Sequence, residues 1–368
     1  MMGHTVQSAR VLLICGLPTG SGRIGGELEK NRQLVMELDR LGVETVSCNV
    51  SDWRLRPLTT GLALVRLIRE SSQIIISVAT RGLFALALSP LSAMLGRRRV
   101  CVLAIGGMTD QHITRLKKPL RARVQRFLRG VDLVVVELSG VATAMSRLGF
   151  ANILRLPNFR AKDKAGQDSV DKPQNGDMLR CVFLSRVTED KGIGDAVAAV
   201  AMVQEWAPVC RCSLDVYGPL EGVDPVAWPA SIVHYKGVVS PDKVVDCLLH
   251  YDVMLLPTRF EGEGFPGALI DAAFAGLPAI VSAWRFSVDI ITDDVNGFRV
   301  PARDPEAIAE KLVYLANHRE VLMRLKDGAL SSANRYDSAV VVPQLLRALE
   351  QKGWRLHTEP LVEKGGVD

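Results

Sequence analysis

The chain lacks a long apolar run. A membrane-spanning helix needs about 20 continuous apolar residues, and the most apolar stretch, residues 74–96, is interrupted by Arg81 and Pro90. It reads as a strand followed by a buried helix, so no membrane span is predicted. Residues 1–10 have no apolar core ahead of the first strand, and no signal peptide is expected. The seven cysteines (Cys15, Cys48, Cys101, Cys181, Cys210, Cys212 and Cys247) include no CxxC pair, and most fall in predicted strands or helices. They suit small buried hydrophobes in a reducing cytoplasm better than a disulfide framework. Aromatics make up only 5% of the chain, and its one basic cluster lacks interleaved aromatics. With no recognisable nucleic-acid module either, a nucleic-acid partner is not expected.

What the sequence does have is alternation. Its 368 residues, 48% of them hydrophobic, suit two domains with substantial cores. In the first half, strands at 11–15, 43–50, 74–78, 100–105, 131–136 and 153–156 alternate with helices at 27–41, 62–68, 83–95, 113–129 and 141–148. Residues 159–178 are polar and aperiodic, a linker between a first domain (1–158) and a second (179–337). The second half repeats the alternation, with strands at 179–184, 212–217, 232–235, 253–256 and 277–281 and helices at 193–205, 241–250 and 268–275. Three further helices follow at 305–316, 321–333 and 339–352, and residues 354–368 are expected to fray. The pattern predicts an α/β protein of two Rossmann-like, doubly wound domains.

The formal charge is only +5, but it is unevenly placed. Arg97, Arg98 and Arg99 are followed by Arg115, Lys117, Lys118, Arg121, Arg123, Arg126 and Arg129, with Asp110 the only acid in that interval. Residues 113–129 read as an amphipathic helix with Ile113, Leu116, Leu120, Val124, Phe127 and Leu128 as its stripe, kinked or started at Pro119. From Arg115 to Arg129 this helix suits an anionic membrane surface, and hence peripheral attachment inside the cell; a solvated outer helix is the bland alternative.

The most informative stretch is residues 258–282, TRFEGEGFPGALIDAAFAGLPAIVS preceded by a buried strand. Pro266 and Gly267 open a helix that Gly276 closes. Ahead of it, Gly262 and Gly264 let backbone approach a ligand, and the helix N-terminus favours a phosphate. Glu263 and Asp271 beside that phosphate site suit hydroxyls. A sugar nucleotide carries both groups.

EGFPGALID followed by AAFAGLPAIVS resembles the signature of the retaining family 4 glycosyltransferases of GT-B fold, two Rossmann-like domains facing across a cleft. Their pattern has two glutamates separated by seven residues; Glu263 takes the first place and Asp271, one methylene shorter, the second. Trp284, Arg285 and Phe286 resemble the branch that builds capsular polysaccharides and exopolysaccharides. The resemblance implies that Glu263 contacts the donor sugar and Asp271 the ribose, with Gly264, Phe265, Pro266, Gly267 and Leu269 lining the donor. LSRVTEDKG (184–192) is similar to the family segment whose Arg and Lys hold the leaving diphosphate, here Arg186 and Lys191. Gly218 ends a strand where the family has a turn near the donor, and Val238 lies in the segment that reads the nucleobase. The family also implies a last helix, within 338–368, that crosses back to the first domain. Where many members carry a histidine in the first domain this chain reads AIGGMTD, leaving Asp110 and His112 as acceptor-side candidates. No metal site or bound cofactor is expected, since no DxD motif stands in the right strand context and Asp293–Asp294 precedes a turn.

GLPTGSGRIGG (16–26) contains a nominal GxGxxG at Gly20, Gly22 and Gly25. An NAD(P)-dependent oxidoreductase is therefore the rival reading. The triplet starts five residues after Cys15, Gly26 and Glu27 prolong the loop, and the acid Asp52 stands later than that fold wants. In the glycosyltransferase reading Gly25 and Gly26 let backbone amides reach the donor diphosphate or the acceptor. A GT-B-shaped binding protein without turnover is the third reading.

Overall fold

The computed structural model describes residues 10–18, 25–51, 53, 55–162, 178–207 and 211–356. They form two compact units, one from residues up to Ala161 together with those from Ser338 onward, the other from Lys162 to Asp337.

In the first unit, β1 (Val11–Cys15), β2 (Thr45–Asn49), β3 (Gln73–Ala79), β4 (Arg99–Ile105), β5 (Leu133–Val136) and β6 (Ile153–Arg155) form a parallel sheet in the order β2-β1-β3-β4-β5-β6. Helices α1 (Gly26–Arg40), α2 (Pro57–Glu70), α3 (Thr80–Leu88), α4 (Leu91–Leu95), α5 (Thr109–Arg115), α6 (Lys118–Gly130) and α7 (Ser139–Arg147) connect the strands. The strands β1, β3, β4 and β5 read as near-continuous apolar runs because helices cover both faces, while the edge strand β2, TVSCN, is mostly polar and partly exposed. The crossover from β1 to β2 runs one way across the sheet and the later ones run the other way. Right-handed connection therefore puts α1 on one face and α2 to α7 on the other. Burying Leu34 and Leu38 of α1 contributes about 1.5–3 kcal/mol each.

Two predicted helices are split. The apolar helix over 83–95 is α3 and α4, because Pro90 has no N–H to continue the ladder and Ser89 ahead of it is extended. The basic helix over 113–129 is α5 and α6: Leu116 is extended, and Pro119 stands in the first turn of α6.

In the second unit, β7 (Met178–Leu184), β8 (Arg211–Tyr217), β9 (Val233–Gly237), β10 (Val253–Leu256), β11 (Ala279–Ser282) and β12 (Gly297–Val300) form a parallel sheet ordered β12-β11-β10-β7-β8-β9. Its helices are α8 (Ile193–Trp206), α9 (Val244–Leu248), α10 (Gly267–Phe274), α11 (Pro305–Asn317) and α12 (Arg319–Ala333). Counted from its own first strand, the order is 3-2-1-4-5-6, which reverses direction between β7 and β10. β12 was not predicted. The helix expected over 241–250 is a 3-10 turn, Pro241–Lys243, followed by the short α9.

The last helix, α13 (Ser338–Gln351), belongs to the first unit, where Val341, Val342, Leu345, Leu346 and Leu349 join the core containing Leu34 and Leu38. The segment beyond it does not fray at once. Trp354 is buried with Nε1 donating to Asp132 Oδ2 at 3.1 Å, and the Arg355 backbone exchanges hydrogen bonds of 2.8 and 3.0 Å with the Gln73 side chain. Within the expected linker, Phe159 and Arg160 are buried in the first unit and Met178 starts β7. Among the described residues, no helix is long and apolar enough to cross a membrane.

Candidate active site

The carboxyl ends of β7 and β10 lie side by side where the strand order reverses, the place where open parallel sheets bind ligands. Gly192 lets the two following loops meet. Its φ is +83°, and a Cβ there would stand 2.1 Å from the Pro257 carbonyl oxygen. Arg259 N donates to Asp190 O at 2.9 Å, and the Arg259 guanidinium donates to Glu189 at 2.9 Å.

This meeting places Lys191 and Glu263 in an ion pair, both side chains about nine-tenths buried. Lys191 sits in a 3-10 turn, Glu189–Lys191, whose N-cap Thr188 accepts from the Lys191 N–H. Thr258 Oγ1 lies 3.0 Å from Glu263 Oε2, the oxygen that also accepts from Lys191. The Thr258 hydroxyl has one proton and a second acceptor, Asp190 O, at 3.3 Å. The charged, nearer carboxylate is the stronger acceptor. Ser282 Oγ donates to the Thr258 carbonyl and ties the loop to the end of β11. Glu263 Oε2 thus holds two donors, while Oε1 has no hydrogen bond among the described residues. Lys191, with three N–H groups, donates one to Glu263 and lies 5.3 Å from the Phe260 ring centroid.

Helix α10 starts just beyond Glu263. Its N-cap, Pro266, supplies no side-chain cap, and its carbonyl accepts from Leu269 N at 3.2 Å, which leaves the N–H groups of Gly267 and Ala268 for a ligand or water. Asp271 is partly buried one turn into the helix, so in the chain Glu263 precedes this N-terminus and Asp271 follows it. Phe265 and Leu269, expected to line the donor, are buried. Phe265 meets Tyr336 edge-on at 5.2 Å, and Leu269 lies on the buried face of α10. Their side chains anchor the loop and helix, leaving backbone and Gly264 to a ligand.

Arg186 does not join the Lys191 pair. It bonds Glu221 at 3.2 Å, both side chains about half exposed, on the same carboxyl edge of the sheet. Gly218 is required by its backbone: φ is +132°, and a Cβ would lie 1.7 Å from Ser185 O. Its N–H donates to Gly237 O at 2.9 Å, joining the turns after β8 and β9, and Val238 beyond is exposed. Sequence reasoning missed Gly192, Thr258 and Ser282. The signal for the first two was present, a Gly directly after Lys191 and a hydroxyl two residues beyond β10.

In the first unit, Gly25 is the N-cap of α1 with φ −166° and Gly26 opens the helix; a Cβ at either would meet nothing within 4 Å. Gly20, Gly22 and Asp52, on which the dinucleotide reading depended, lie outside the described residues. Asp110 is buried in the first turn of α5, beside Thr109, whose Oγ1 is 3.3 Å from Thr80 Oγ1. His112 is partly exposed. Burial, then the charges of Arg115 and Arg81, hold its imidazole below the ordinary range, against a smaller opposing pull from Asp110. Among the described residues, no cluster of three or more His, Cys, Asp or Glu could hold a metal ion.

The family model for Glycosyl transferases group 1 matches residues 179–318. The amylovoran biosynthesis glycosyltransferase AmsK of Erwinia amylovora is 30% identical over 146 residues, 38% of this chain and 36% of that protein. The N,N'-diacetylbacillosaminyl-diphospho-undecaprenol alpha-1,3-N-acetylgalactosaminyltransferase of Campylobacter jejuni is 25% identical over 119 residues, 32% of this chain and 31% of that one. The aligned stretches thus span about a third of these relatives. Among solved structures, Anabaena HepE in complex with UDP superposes with a TM-score of 0.71 at 14% identity, covering 93% of this chain and 100% of that one. Residues 179–318 are therefore similar to the glycosyl transferases group 1 family, on a chain with the GT-B fold.

Proposed function

We propose that the chain is a retaining, family 4-like glycosyltransferase that moves a sugar from a nucleotide-sugar donor to a glycan or lipid-linked acceptor in polysaccharide or glycolipid assembly. The observation that carries this reading is the buried Lys191–Glu263 pair at the switch point of the second sheet, beside the N-terminus of α10. The departing nucleoside diphosphate carries about two to three negative charges, and preorganised cations contribute about 3–4 kcal/mol each at such a transition state. Lys191 has N–H groups to spare for it, and Arg186 offers a planar fork once it leaves Glu221. Glu263 Oε1 accepts from the donor sugar, with Lys191 and Thr258 fixing the other oxygen, and Asp271 accepts from the ribose. Charge developing on the diphosphate is met by side chains, so we assign no metal and no covalent nucleophile. The polysaccharide and undecaprenol-linked chemistry in the relatives' names supports the acceptor class, and HepE's bound UDP makes uridine diphosphate sugars the first donors to test.

The test is donor hydrolysis and transfer over a panel of sugar nucleotides, with EDTA present and absent. Glu263→Ala, assayed below its lowered Tm, and Arg186→Ala should each lower kcat by more than about 100-fold while the chain is folded. Near-normal turnover in both would refute the assignment, and loss of activity in EDTA would refute metal independence.

A further inference from the structure

Leucines stand in the open on α2. Leu58 and Leu62 are 80% and 72% exposed, and Leu55 just ahead of the helix is 78% exposed. They are not the core face: α2 buries Leu64 and Ile68, whose mean direction lies about 120° around the axis from that of Leu58 and Leu62. The helix carries two apolar stripes, and among the described residues the second is exposed. Trp53, also exposed, precedes it.

The position of this stripe is set by topology. The β2–α2 connection leaves the carboxyl edge of the first sheet, the edge from which α3 and α5 also start after β3 and β4. Helix α2 packs on α4, α4 on α3, and α3 on α6, so these helices form one layer on one face. At the carboxyl end of that layer stand exposed Arg56, Arg81, Arg115, Lys117 and Lys118, with Arg121 half-exposed. Of the described acids at this edge, Asp110 and Glu137 are buried, Glu137 is paired with Lys30 at 2.6 Å, and the partly buried Glu27 accepts from Ala79 N at 3.1 Å. Cationic rim and apolar stripe together are the composition of an interfacial membrane element. On α6, Val124, Phe127 and Leu128 are buried and Leu120 is 38% exposed, so that helix brings chiefly charge.

We propose that the α2 stripe, Leu55, Leu58 and Leu62, dips into the headgroup region of an anionic lipid bilayer while the basic rim holds the phosphates. Binding then has an apolar part and a salt-sensitive part, carried by different helices. The use of this surface rests on the proposed function, since it sets the edge carrying Asp110 and His112 at the membrane, where a lipid-linked acceptor would be.

The test is co-sedimentation of the full chain with vesicles of phosphatidylcholine alone and of phosphatidylcholine mixed with phosphatidylglycerol, at low and high salt. The chain should bind the mixed vesicles and leave the neutral ones largely unbound. Leu58→Glu with Leu62→Glu should lower the partition coefficient at least about tenfold at either salt. Lys118→Glu with Arg121→Glu should lower it at low salt and matter less at high salt. Thermal melts check that these exposed changes leave folding intact. Wild-type binding by the leucine variant overturns the proposal. So does a chain that ignores vesicles and dimerises through this stripe, seen as a dimer that the leucine variant makes monomeric. Calorimetry with uridine diphosphate separates the two readings: vesicle binding without nucleotide binding would sink the proposed function alone.

Discussion

Removing one partner of the Lys191–Glu263 pair should cost far more stability than removing both. Each side chain is about nine-tenths buried, so among the described residues Glu263→Gln leaves the ammonium without its paired carboxylate, and Lys191→Met leaves the carboxylate with the Thr258 hydroxyl alone. Breaking a buried pair from one side costs about 3–5 kcal/mol. Replacing both charges removes the Coulomb attraction together with both desolvation penalties, so the double variant should sit within about 1–2 kcal/mol of wild type. The coupling energy then exceeds about 2 kcal/mol, well above the few tenths expected of independent sites. In a unit of this size 3 kcal/mol corresponds to a fall in Tm of about 6–12 °C. Differential scanning calorimetry of the four proteins reads this directly, following the transition that shifts because the two units need not melt together. Additive losses, or a double variant less stable than either single, would refute the reasoning. All three variants should lose donor turnover, so a stable but inactive double variant would separate the pair's work on the ligand from its work on the fold.

Gly192→Ala and Gly218→Ala should each destabilise by more than about 3 kcal/mol, because a positive φ is combined with a Cβ placed 2.1 or 1.7 Å from a carbonyl oxygen; an unchanged Tm would show that the loops can move apart. Arg186→Ala should change stability by about 0.5 kcal/mol or less, since its bond to Glu221 is half exposed, while turnover falls; a large drop in Tm would make Arg186 a structural residue. Burial pushes the Asp252 carboxyl up, but Lys326 at 2.8 Å and Arg180 at 3.4 Å outweigh it and hold the folded pKa below the ordinary 3.8. Its stabilising contribution is therefore complete above the unfolded value and lost as pH falls through the depressed one. Asp252→Asn should lower Tm at neutral pH and flatten its decline below about pH 4. A Tm–pH profile unchanged by the substitution would contradict this.

The strands were legible because parallel strands covered on both faces must be apolar throughout: residues 11–15 and 253–256 fold as read. Pro119 was legible as either a kink or a helix start, and it stands in the first turn of α6, where its missing N–H costs nothing. β12 escaped because Phe298 and Val300 with Arg299 between them give too short an alternation to separate from a turn. Glu263 and Lys191 could be named from their local segments and their resemblance to a family. That they form one buried pair could not, because they are 72 residues apart and meet only through the pairing of β7 with β10. The same holds for Thr258, whose hydroxyl is an ordinary loop group until the chain brings a carboxylate to it, and for Arg186, whose partner comes from the turn after β8. Exposure of the α2 leucines was equally hidden. Local sequence determined which residues are apolar, charged or turn-forming; strand order decided which of them meet and which are left facing out, because hydrogen-bonded neighbours in a sheet are chosen by the packing of the whole unit.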